Sequence, residues 1–385
     1  MNHTFKRLPP LSLYIHIPWC VRKCPYCDFN SYEQDGSLPV DAYVRALMED
    51  LDADVELAQA RPITSIFFGG GTPSLFPTAG IARILDGVRA RLTLMDEAEI
   101  TLETNPGTAE YSDFPGLRAA GVNRLSFGAQ SFDDLQLQQL GRIHASDDIE
   151  KAVNRARDAG FDNYNIDLMH SLPGQDASAA LRDIDRALAL APTHLSWYQL
   201  TIEPNTAYYS SPPTLPEEDT QADIYQFGLQ HLQDAGFEQY EVSAFAKPGK
   251  ASMHNLNYWQ FGDYLAIGAG AHGKITRADD GSILRYQKTR SPRDYLAPDR
   301  AYLAKQQAIA VDDLPLEFLM NAFRLRQGVP EALFQQRTGL SLETIETELT
   351  ALRQDGLLAP DQDSLRLTER GHMLLNEVLG RFLAD

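Results

Sequence analysis

The chain has 385 residues, 43% hydrophobic and 23% charged, a composition that fits a globular protein with a barrel-sized domain and a smaller one. A formal charge of −19 argues against a general phosphate-backbone binder, so no nucleic-acid partner is expected. Three cysteines do not make a disulfide framework, and there is neither a secretory leader pattern nor an apolar run of about 18 residues; a cytoplasmic protein without a transmembrane segment is expected.

The alternation in residues 11–18 predicts a first strand. Helical spacing follows over 39–58, with Tyr43, Leu47, Leu51, Val55 and Ala58 on one face. A strand at 63–68 leads into Gly69-Gly70-Gly71-Thr72. A helix at 79–92, a strand at 99–103, a helix at 109–120 and a strand at 123–129 come next. Helical stretches at 133–140 and 147–159 precede a strand at 164–169. A helix at 177–191 precedes a strand at 194–201. Strands alternating with helices imply βαβ units and a parallel sheet. Six units fit a partial (β/α)6 barrel over residues 1–205; a doubly wound sheet is the alternative. Residues 206–310 read as an extension with extra strands. It contains a Pro/Ser-rich loop (208–216), a helix (217–235), a strand-like 240–245 and an aromatic segment (253–262). Residues 311–385 read as helices around a small hairpin, a winged-helix-like domain whose Glu343, Glu346 and Glu348 do not suit DNA.

The chemistry concentrates at Cys20, Cys24 and Cys27, which hold every thiol of the chain in a C-x3-C-x2-C loop after the first strand. Such thiolates hold an iron–sulfur cluster, normally four per [4Fe–4S] cube, so three leave one iron open to a non-protein ligand. Zinc and three buried free thiols are the competing readings, but structural zinc sites use four ligands and paired C-x2-C units, and scattered core cysteines would not fall within eight residues of each other. Glycines 69–71 after a strand allow close backbone approach to a ligand. Glu103, Gln130, Arg142 and Asp167 all fall at or near predicted strand ends, where parallel barrels place their sites. Singly, Glu103 and Arg142 read as solvated loop charges. Asp167, amid Ile166, Leu168 and Met169, needs a polar partner if it is buried.

The cysteine loop resembles the cluster motif of the radical S-adenosylmethionine (SAM) enzymes. The resemblance implies a (β/α)6 fold and SAM chelated to the open iron, whose reductive cleavage yields a 5′-deoxyadenosyl radical. The strings around Glu103, Gln130 and Arg142 resemble those of oxygen-independent coproporphyrinogen III oxidases and their relatives, from Tyr14 to about Gly273. Carried over by motif, Tyr14, Tyr26, Gly70 and Glu103 would contact SAM, with Gly71, Thr72, Gln130, Arg142 and Asp167 lining the same site. Two departures separate this chain from the oxidases. Phe29 stands where the oxidase pattern has a fourth cysteine, and the oxidases carry a longer N-terminal extension. Both point to the sister subfamily of HemW-type heme chaperones, which the run Cys24-Pro-Tyr-Cys-Asp-Phe-Asn-Ser31 also fits.

The second signature is His254-Asn255-Leu256-Asn257-Tyr258-Trp259. An isolated histidine there reads as one hydrogen-bonded residue in an aromatic packing segment. The full string resembles the H-N-x-x-Y-W element associated with heme in the HemW subfamily, which implies a heme site at His254, Asn255, Tyr258 and Trp259. His16, His170 and His272 are weaker candidates for a second axial ligand. Because His254 lies outside the six-unit core, heme and SAM binding are expected to be separable. The implied function is a heme chaperone handing heme to an acceptor protein, with respiratory heme enzymes at the membrane surface as candidates. A coproporphyrinogen III oxidase, or a radical SAM enzyme of unknown substrate, is the alternative. No residue is assigned as catalytic, and coproporphyrinogen decarboxylation is not expected.

Overall fold

The computed structural model describes residue 5 and residues 7–361 and 363–383. Six strands, β1 (Leu11–Ile17), β2 (Ile63–Gly70), β3 (Leu94–Thr104), β4 (Arg124–Gln130), β5 (Tyr164–His170) and β6 (His194–Gln199), pair in parallel in chain order. Helices α1 (Val40–Asp54), α2 (Thr78–Arg89), α3 (Phe114–Ala120), α4 (Asp134–Gln139), α5 (Ser146–Asp158) and α6 (Ala177–Ala189) make the crossovers. The result is the expected partial (β/α)6 barrel.

Strand period decides which side chains go where. Leu11, Leu13, Ile15 and Ile17 of β1 face the helices, in one core with Leu47, Ile81, Ile84, Val153 and Ile184. Each such fully buried side chain contributes about 1.5–3 kcal/mol by its removal from water. The intervening Ser12, Tyr14 and His16 face the barrel interior, whose lining is unusually polar. Register stacks these residues in layers. Ser12 stands beside Ser65, Ser65 beside Glu99, and Asn165 beside His194, forming a polar floor near the N-terminal strand ends.

The extension lengthens both edges of the sheet rather than one. Strands β7 (Glu238–Glu241) and β8 (Ala244–Ala246) add to β6 in antiparallel fashion. On the other side, β9 (Asp263–Ile267) pairs in parallel with β1. Antiparallel β10 (His272–Thr276), β11 (Ile283–Lys288) and β12 (Leu303–Ala308) complete a twelve-stranded sheet. Helix α7 (Glu218–Asp234) precedes β7, and helix α8 (Met253–Trp259) connects the two edges.

Residues beyond 311 build a second core around Phe318, Phe334, Leu349 and Leu365, joined by Phe261 and Ile283 from the extension. Leu358 bridges Leu367, and Ser364–Leu365 pairs with Val329–Pro330, so the small hairpin gains a third strand. The helix expected over 109–120 is divided. A 3-10 stretch at Pro106–Tyr111 ends, and α3 starts afresh at Phe114 because Asp113 caps it and Pro115 lies in its first turn.

Candidate functional site

The C-terminal ends of β2 to β6 and the loop after β1 converge on one cavity of about 370 Å³. Cys20, Cys24 and Cys27 line it, together with Tyr26, Gly70, Gly71, Thr72, Glu103, Gln130, Arg142 and Asp167. All three thiols of the chain thus open on the same space.

The glycine turn is fixed against the cysteine loop. Gly71 N–H donates to the Ile17 carbonyl at 2.8 Å and Thr72 N–H to the Trp19 carbonyl at 2.7 Å. Gly70 has φ +117°, and a Cβ at Gly71 would fall 2.6 Å from the Trp19 carbonyl oxygen, so both positions exclude larger residues. Asn30 anchors the far side of the loop by donating to the Ala269 and Arg290 carbonyls, each at 2.9 Å. His16 accepts from Tyr14 through Nδ1 (3.0 Å) and donates through Nε2 to the Asn30 carbonyl (2.9 Å).

Charge in the cavity is arranged around anions and a cation. Arg142 donates to the Gly128 carbonyl at 2.6 Å and reaches Cys24 Sγ at 3.6 Å. Its Nε is buried with no partner in the chain, which leaves one donor of the guanidinium unused. Gln130 sits at φ +72°, a strained conformation for a side-chain-bearing residue, and its Oε1 accepts from the Tyr198 hydroxyl at 2.7 Å. Asp167 finds the polar partners it needs: Asn165 donates at 2.7 Å and Ser126 at 3.4 Å. Burial nevertheless pushes its carboxyl above the usual range.

Glu103 accepts from Gly70 N–H at 3.2 Å. Burial, then the nearby Asp167 carboxyl, raise its pKa from 4.5 to about 8. Between these values the native state keeps a proton that the unfolded chain has lost, so stability falls as pH rises through that window. Glu103→Gln removes this slope. Denaturant titrations of cofactor-free protein at pH 5 and pH 8 are expected to show a smaller loss for the variant than for the wild type.

Tyr14 is the exception among the residues expected to line the SAM site. It does not line the cavity: its ring stacks on Phe67, its neighbour in register, and its hydroxyl, beside Gly69, is used by His16. Conversely, Tyr198, Ser196 and Met169 line the cavity without having been singled out. Their signal was the inward parity of β5 and β6, legible once the strand boundaries were known. Phe29, 60% exposed, stands at the cavity mouth.

His254 is not outside the barrel. Helix α8 docks on the floor, and the imidazole is 1% exposed. Nδ1 hydrogen-bonds Ser65 Oγ at 3.0 Å, Nε2 hydrogen-bonds Tyr258 at 2.9 Å, and the ring stacks on Phe67. Burial, then Arg124, lower its pKa to about 3, so it is neutral. The expectation that His254 lies apart from the core is therefore corrected: the helix follows the sixth strand in sequence but returns beneath the first and second. Asn255 donates to the Tyr240 hydroxyl at 3.4 Å, Tyr240 bonds His194 at 2.9 Å, His194 bonds Asn165 at 2.7 Å, and Asn165 bonds Asp167. A continuous polar chain thus runs from α8 to the cavity wall. Trp259 faces the other way, under the Arg324 guanidinium in the C-terminal core. Of the weaker candidates, His170 is buried beside Trp197 and His16 is fully engaged, whereas His272 is exposed.

Residues 14–187 match the radical SAM superfamily, and residues 309–374 match the HemN C-terminal domain. The chain is 51% identical to the heme chaperone HemW of Escherichia coli over 98% of this chain and 100% of the relative. It is 48% identical to that of Haemophilus influenzae over 98% and 99%. Its fold is similar to that of Escherichia coli coproporphyrinogen III oxidase (HemN), described as a radical SAM enzyme, with a TM-score of 0.81 and 24% identity over 97% of this chain and 90% of that one.

Proposed function

The chain belongs to the HemW heme chaperones of the radical SAM superfamily, and from that membership we propose that it binds heme and delivers it to an acceptor protein in the cytoplasm or at the membrane surface. Heme is the cargo. The resident group would be a [4Fe–4S] cluster held by Cys20, Cys24 and Cys27, which would leave one iron free for SAM. The residues fit these groups: the thiols line one cavity, the glycine turn leaves room for backbone approach, and Arg142, beside Cys24, holds an unused donor. When bound and reduced, such a cluster supplies electrons for radical chemistry at SAM. The protein's part is to orient and shield it. Arg142 suits a carboxylate, Glu103 and Asp167 suit ammonium and hydroxyl groups, and the Gly70–Gly71 turn offers backbone groups.

Phe29 carries the choice between chaperone and oxidase. At the mouth of the cluster cavity, where the oxidase pattern has cysteine, the chain presents an exposed apolar ring. The test is made under anoxia with reconstituted protein. Hemin titration is expected to give a saturable Soret change, and coproporphyrinogen III with SAM and reductant is expected to remain unconsumed. Decarboxylation at an enzymatic rate, without hemin binding, would replace this reading with the oxidase.

A further inference from the structure

Helix α8 carries the histidine of the string that resembles a heme element, and buries it. Ser65 Oγ donates to Ser12 Oγ at 2.9 Å, so it accepts from His254 Nδ1–H. Nε2 is left to accept from the Tyr258 hydroxyl. The lone pair that could bind iron is already used. Phe67 stacks on the ring at 5.0 Å between centroids, and Tyr258 meets it edge-on at 4.7 Å, leaving no room for a macrocycle.

One carboxylate dominates the seating of α8. Glu99 Oε1 accepts from Ser252 Oγ at 3.1 Å and from His254 N–H at 3.2 Å. Its Oε2 accepts from Met253 N–H at 3.2 Å, and Arg124 lies 3.9 Å away on its other side. All three donors belong to the helix cap and first turn. At the far end Asn257 Nδ2 donates to the Asp263 carbonyl at 2.8 Å, and Asn255 reaches Tyr240 at 3.4 Å, so Glu99 holds the start of the helix and Asn257 its end. A helix of seven residues does not persist unaided in water, so these contacts decide whether it is formed and seated.

We propose that α8 is a latch on the barrel floor, that Glu99 is the positioning residue holding it there, and that His254 ligates heme iron only when the latch is released. This rests on the heme-binding reading above. On ligation the Tyr258 O–H···Nε2 hydrogen bond breaks and an Nε2–Fe coordinate bond forms. The imidazole is neutral before and after, so no proton leaves it. Apparent heme affinity is then the intrinsic affinity reduced by the fraction of molecules with α8 released.

The test uses the full chain and hemin, with two measurements on each variant: absorption titration and amide hydrogen exchange over residues 252–259. Glu99→Gln weakens the carboxylate's hold on three donors and is expected to tighten hemin binding by roughly three- to tenfold while speeding exchange in that segment. Ser65→Ala, which loosens only the imidazole, should act in the same direction and serves if Glu99→Gln folds poorly. Adding His254→Ala to either is expected to cancel the gain and alter the Soret spectrum, which mere loosening of the fold would not do. In the wild type, hemin should speed exchange at 252–259. The latch is overturned if His254 ligates hemin while that segment stays as protected as in the free protein. Unchanged affinity in both loosened variants overturns it too. Failure of the wild type and every variant to bind hemin at all sinks the heme-binding reading, and the latch with it.

Discussion

Replacing Cys20, Cys24 or Cys27 singly by Ala is expected to abolish the iron–sulfur cluster, taking anaerobically reconstituted protein from about four irons per chain to near zero. The effect is all or none because the loop offers no substitute. These are the only cysteines in the sequence, and the neighbouring Ser31 and Thr72 hydroxyls are poor ligands for iron beside sulfide. The fold should survive, since Cys24 and Cys27 are only partly buried and the loop is also pinned by Asn30, His16 and the Thr72–Trp19 bond. Iron and sulfide analysis, the cluster's visible absorption and far-ultraviolet circular dichroism check the three statements together. One zinc per chain and no iron uptake in the wild type would overturn the cluster assignment.

Lys288→Met is expected to be the most damaging substitution away from the cavity, with a loss of about 3–5 kcal/mol of folding stability. Lys288 Nζ lies 2.5 Å from Asp50 and 2.7 Å from Asp54, and all three side chains are buried or nearly so. Asp50 also accepts from the Tyr295 hydroxyl at 2.6 Å and from Gly268 N–H at 3.1 Å. The cluster of charges therefore ties α1 to β11 and to the turn after β9. Removing the lysine leaves two carboxylates facing each other without a cation, and the uncompensated buried charge sets the size of the effect. Arg83→Ala, which breaks an exposed pair with Asp41, is the control and should leave the denaturation midpoint nearly unchanged. Equal midpoints for both variants would show that the buried ion pairs do not matter to stability.

The cluster loop, the glycine turn and the strand-end residues Glu103, Gln130 and Asp167 were legible in the sequence because each is a local pattern. A βα repeat fixes which residues end strands, and a barrel then brings strand ends together whatever the loops contain. Cys20, Gly70 and Asp167 could thus be placed in one cavity without coordinates, and the structure places them there. Tyr14 shows the limit of that logic: it points inward level with Phe67, below Gly69, and its hydroxyl is taken by His16, so it does not line this cavity. Height depends on strand stagger, which pairing sets and sequence spacing does not.

The sequence by itself determined the fold class, the cofactor loop and the family. Those depend on periodicity and on short motifs whose residues are neighbours along the chain. Only the tertiary structure decided where His254 sits. The string His254-Asn255-Leu256-Asn257-Tyr258-Trp259 is compatible with an exposed segment and with one seated on the barrel floor. Its seat here is set by Ser65, Glu99 and Tyr240, which lie far from it in sequence. Those partners are polar residues at the inward positions of β2, β3 and β7. A polar floor needs something to satisfy it, because unpaired donors and acceptors in a closed interior are costly. Helix α8, through His254, Asn255 and its capping Ser252, supplies the missing partners. The reason it sits inside is the barrel's demand for hydrogen bonds, which the string of six residues does not record.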